Sequence, residues 1–90
     1  MNKMFTALVE NTQSSIGYSQ NCICGYDKES VLRDIYTHNY LKELKYHHKR
    51  ANKQLGFEVF CKMVEKKGIF KPFSNLTISF YVDEVADEVA

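Results

Sequence analysis

Leu76-Thr77-Ile78-Ser79-Phe80-Tyr81-Val82 alternates without interruption, with Leu76, Ile78, Phe80 and Val82 on one side and Thr77, Ser79 and Tyr81 on the other. A period of two held over a whole segment is the pattern of a strand with one apolar and one polar face, as antiparallel sheets require. Pro72 marks the way into this strand, and Gly68 stands four residues earlier, behind Lys66-Lys67. A glycine after two cations is how a helix ends: glycine takes positive φ freely, and the cations meet the negative end of the helix dipole. That ending settles the segment 57–67, where Phe57, Phe60, Cys61 and Val64 form a helical stripe but Phe57, Val59, Cys61 and Met63 would also alternate as a strand. A helix over 57–67 is predicted, with Ile69 placed to touch Val64.

Further upstream, Leu41, Leu44, His48, Ala51 and Leu55 share one face of a helix over Tyr40 to Gln54, while Lys42, Lys45, Lys49 and Lys53 line the other face with Tyr46. Asp27 is a good N-cap for an earlier helix, Lys28 to His38, with Tyr26 and Val31 positioned as a hydrophobic staple. The stripe of that earlier helix (Val31, Leu32, Ile35, Tyr36) points more than about a quarter turn away from the later one, so a break near His38-Asn39 is expected. Met4 to Val9 and Tyr18 to Gly25 read as two strands of a hairpin. The order is ββαααβ: an α+β chain with a small antiparallel three-stranded sheet and helices packed on one face. Ninety residues fit one domain, 1–90, in which the acidic stretch 83–90 (DEVADEVA) reads as a flexible tail or a partner for the basic middle.

Lys42 to Lys71 carry nine of the twelve Lys and Arg but three of the eleven Asp and Glu, a net +6 against −5 for the rest. Segregated charge of this kind speaks to partners rather than to fold. The ridge Lys42, Lys45, Lys49, Lys53 with Tyr46, extended by Arg50, Lys62 and Lys66, is therefore the candidate macromolecule-binding surface. Tyr18, Tyr26 and Tyr81 form a candidate aromatic patch, since an exposed aromatic sheet stacks bases or receives a protein.

Ala51 to Phe70 (ANKQLGFEVFCKMVEKKGIF) resembles the helix-turn-helix of small DNA-binding proteins, with Leu55-Gly56-Phe57 as the turn. It departs from that pattern at Asn52, four before the turn glycine where a small residue is usual, at Lys62, where a buried aliphatic is usual, and at Glu58, where a small N-cap is usual. The resemblance implies that Lys62 and Lys66 face DNA.

His38, His47 and His48 with Cys22, Cys24 and Cys61 are chemically adequate for zinc, but lack the two short ligand pairs of structural zinc sites. Core cysteines and surface histidines are the simpler reading, with no metal and no cofactor. No serine or cysteine stands in a recognisable elbow, and four glycines leave no phosphate-cradling loop, so no catalytic residue is assigned and the chain is not expected to be an enzyme. Asn75-Leu76-Thr77 matches a glycosylation acceptor, but no apolar leader precedes it. Three cysteines, no such leader and no long apolar run predict a cytoplasmic protein without a membrane segment. The expected function is that of a small non-enzymatic protein-binding module, an inhibitor or regulator. The alternative is a nucleic-acid-binding protein using the basic face of the helices at 40–67, and a homodimer is compatible with either.

Overall fold

The structure, a computed structural model, describes residues 2–14, 17–47 and 54–85. Its strands are β1 (Asn2–Ser14), β2 (Gly17–Gly25), β3 (Ile69–Phe73) and β4 (Leu76–Val85), hydrogen-bonded in the order β2-β1-β4-β3. The sheet is antiparallel throughout. It has four strands rather than the expected three. Pro72 lacks a ladder donor, which disguised Ile69–Phe73 as a mere exit from the helix; an edge strand tolerates proline, and β3 is an edge. The hairpin strands are also longer than their apolar runs, because Ser14 already pairs with Gly17. Asp83 and Glu84 belong to β4, where they pair with Met4 and Lys3, so the tail begins later than the run of acids implied. Residues 86–90 lie outside the described residues.

The helical part contains α1 (Lys28–Ile35), a π-helical turn (Tyr36–Tyr40), α2 (Leu41–Leu44) and α3 (Phe57–Lys67). The expected break at His38-Asn39 is absent. The chain stays helical from α1 into α2, and the wider π turn rotates the apolar stripe instead, so that Val31, Leu32, Ile35, Tyr36, Tyr40 and Leu44 are all buried. Two described helical bodies therefore replace the expected three, and the segment 57–67 is helix. The expected helix over Tyr40 to Gln54 ends its described course at Leu44, where Tyr46 and His47 donate to the carbonyls of Glu43 and Leu44 in a tightened turn. Residues 48–53 lie outside the described residues, as does the first part of the helix-turn-helix resemblance; Gly56, its turn glycine, is extended.

At the start of α1 the Asp27 carboxylate accepts from the Ser30 hydroxyl at 2.5 Å, with no side-chain bond to a backbone amide. Tyr26 stays exposed while Val31 enters the core. Gly68, at φ +72°, closes α3 as expected, but Ile69 then turns outward on β3 and Phe80 N–H donates to the Gly68 carbonyl at 2.7 Å.

Both helical bodies cover one face of the sheet. Register places Ala7 between Ile23 and Phe80, and Val9 between Asn21 and Ile78, and on this face Ala7, Val9, Ile78 and Phe80 are buried together with Leu32, Ile35, Phe60 and Val64. The opposite face carries Leu8, Cys22, Ile69 and Tyr81, and among the described residues no helix lies over it. In the core, Tyr36 and Tyr40 stack at 5.6 Å and both meet Phe60, at 5.1 and 5.2 Å. Their hydroxyls hold one residue between them: Tyr36 donates to the Leu55 carbonyl at 2.7 Å, and Leu55 N–H donates to the Tyr40 oxygen at 2.9 Å. A loop residue outside any ladder thus has both backbone polar groups satisfied, as burial demands.

Candidate functional site

The end of the helical rod, the far part of β1 and the two-residue turn between β3 and β4 meet around one carboxylate. Asn11 Nδ2 donates to Glu43 Oε1 and Asn75 Nδ2 to Glu43 Oε2, each at 2.9 Å. Asn75 Nδ2 also donates to Asn11 Oδ1 at 2.9 Å, an oxygen that accepts the Gln13 N–H as well. Thr12 N–H donates to the Asn75 carbonyl at 2.9 Å. His47, one helical turn beyond Glu43, places Nε2 3.2 Å from Oε2 and lays its ring flat on Phe73, with centroids 4.2 Å apart and planes 7° apart. Hydrogen bonds to a charged group are worth about 1.5–3 kcal/mol each. Glu43 therefore pins three chain segments that are remote in sequence into one wall.

Beside this wall opens a cleft of about 480 Å³, bounded by Val9 and Asn21 from the sheet, Asn39 and Lys42 from the helical rod, and Tyr46 and Asn75 from the turns. That volume lies in the range of ordinary binding pockets. Two of the lining residues, Asn39 and Asn75, each have a buried amide atom, Nδ2 and Oδ1 respectively, with no hydrogen-bond partner among the described residues. One is a donor and the other an acceptor. Each such unmet group costs about 1–3 kcal/mol in the free protein.

Of the residues singled out in sequence, Lys42 and Tyr46 line the cleft and Lys45 is exposed close by. Lys49, Arg50 and Lys53 lie outside the described residues. Lys62 and Lys66 are exposed on α3, which contributes nothing to the cleft, so the described part of the basic surface is divided between two elements. Tyr18 and Tyr81 both stand on the helix-free side of the sheet. Tyr18 donates to Glu10, whose partner on β4 is Thr77, four residues from Tyr81 and so roughly 13 Å away along the strand. Tyr26 follows the end of β2 and is exposed. The bond to Glu10, then desolvation and the carboxylate's charge, hold the Tyr18 phenol above its usual range.

His38 and His47 line the cleft, whereas Cys22 and Cys24 are exposed on β2 and Cys61 is half-buried on α3. Among the described residues no three His, Cys, Asp or Glu side chains converge on a point that a metal ion could occupy. Among the same residues no helix is long and apolar enough to cross a membrane. Asn11, Asn39, Glu43 and Asn75 carry no periodic or spacing signal in the sequence. Asn75 drew notice there only as part of a glycosylation tripeptide, and Asn39 only as the place of an expected helix break. In comparisons with family models, curated proteins and solved structures, the chain matches none.

Proposed function

We propose that this chain is a small non-enzymatic protein-binding module that seats a segment of a partner protein in the cleft beside Lys42 and Tyr46. The observation that carries this reading is the cleft of about 480 Å³ itself, walled by the bonds of Glu43 to Asn11 and Asn75 and lined by Lys42 and Tyr46. Asn39 and Asn75 line it as well, and a carboxamide turned toward the cleft finds its complement in the carbonyl or N–H of a peptide group. Tyr46, 73% exposed, supplies the kind of rigid amphipathic side chain that anchors protein interfaces, and Lys42 favours an acidic residue in the bound segment. A module of this kind acts as an inhibitor or regulator by occupying its partner.

Selection of a displayed random-peptide library on the protein tests the reading. Enriched peptides should share a motif and lose binding to the Asn39→Leu and Tyr46→Ala variants. No enrichment, or enrichment unchanged in both variants, would remove the cleft from consideration. A second reading, nucleic-acid binding, draws support from the exposed Lys42, Lys45, Lys62 and Lys66. It requires retention on duplex DNA that falls steeply with salt and weakens when Lys42 and Lys45 become Glu.

A further inference from the structure

The two edges of the sheet are built differently. The β3 edge is five residues long, contains the exposed Lys71 and the donorless Pro72, and has an irregular register between Phe70 and Phe73. Short length, charge, proline and irregularity are the devices by which proteins keep an edge from accepting another strand. The β2 edge has no charge and no proline, and its one register irregularity is confined to the turn end, between Gly17 and Ser19. Gly17–Gly25 (GYSQNCICG) runs nine residues with no charge and no proline, pairs regularly with β1 from Gln20–Glu10 through Gly25–Phe5, and has one strand neighbour among the described residues. Gln20, Asn21 and Cys22, at its middle, are all exposed.

We infer that β2 is a self-pairing seam, joining a second copy of this chain, antiparallel, into a continuous eight-stranded sheet. This goes beyond the cleft reading and does not depend on it. Three features specify a second copy as the occupant. An antiparallel strand paired with itself across a twofold axis at Asn21 uses the seven residues Tyr18–Cys24, setting Gln20 opposite the partner's Cys22 and Tyr18 opposite the partner's Cys24. The strand carries no charge, so like meets like without repulsion. The protected β3 edge forbids a β2-to-β3 contact, which would propagate as an open filament, and leaves only the isologous pairing that closes at two chains. Addition at the edge also leaves the helix-free face open and merges the two copies of it.

The test is the mass of the native protein in reducing buffer, by sedimentation equilibrium over a micromolar dilution series. The expected species has twice the chain's 10.5 kDa. Gln20→Lys with Cys22→Lys sets lysine against lysine on both sides of the axis and should give a monomer, whereas Gln20→Lys with Cys22→Glu pairs opposite charges there and should restore the dimer. A native monomer at every concentration, or a dimer indifferent to the double lysine variant, would overturn the seam. Should that variant not fold, amide exchange of the native protein decides: slowing with concentration confined to Tyr18–Cys24 supports the seam, and exchange independent of concentration refutes it.

Discussion

Asn75 joins the turn between β3 and β4 to the rest of the molecule through a carboxamide that is almost wholly enclosed. Its nitrogen serves both Glu43 and Asn11, while its oxygen has no partner among the described residues. Asn75→Ala should destabilise the fold by about 2–3 kcal/mol, because it strips a donor from a shielded carboxylate. Urea unfolding with an unchanged m-value would measure this; a loss below about 0.5 kcal/mol, typical of an inert surface position, would contradict it. Asn75→Asp should be worse near neutral pH, since it sets a second carboxylate against Glu43. The facing pair raises the folded-state pKa, so the defect should shrink as pH falls and grow as it rises. Asn39 is the opposite case. Its donor, unmet among the described residues, costs stability in the folded protein.

At the scale of elements, the π turn and the loop before α3 are fastened by one peptide clamp. Tyr36→Phe would leave the Leu55 carbonyl without its partner and Tyr40→Phe would leave the Leu55 N–H without its own, each costing about 1–2 kcal/mol. Because both hydroxyls hold the same residue, the double variant should lose less than the sum of the two single losses. Strict additivity in a double-mutant cycle would show that the two bonds act separately. The rings stay stacked in the core in all three variants, so the effect isolates the hydroxyls. Here the sequence was only half legible. The rotation between the stripes of Val31 to Tyr36 and Leu41 to Leu44 was visible, but a break and a wider turn satisfy it equally. Periodicity measures an angle and says nothing of how the backbone supplies it.

For the whole molecule, one helix-covered face and one bare face make a readable asymmetry. Cys22 and Cys24 are exposed on β2, whereas burial, and next the Glu65 charge, push the Cys61 thiol above its usual range. Alkylation near neutral pH followed by mass spectrometry should label Cys22 and Cys24 before Cys61, and Cys61 should gain reactivity only as the medium becomes more alkaline. Labelling of Cys61 first would contradict the packing of α3 on the sheet. The alternating Leu76–Val82 segment and the glycine ending of α3 announced the antiparallel sheet and its helical cover, because each is a local pattern. The cleft was silent for the opposite reason. Its members are 32 and 64 residues apart in sequence, joined by a carboxylate and two amides that no local rule brings together.

The π turn gives the helical rod one residue more than α-helical phase requires, and this makes the chain unequally tolerant of changes in length. Loss of Thr37 or His38, both exposed, would set Tyr36 and Tyr40 one ordinary turn apart and leave Leu44 facing the core. Gain of a residue at the same place would swing everything after it by about 100°, taking Leu44 out and bringing Glu43 in. Across any lineage of this protein, the rod can shed a residue here but cannot take one on.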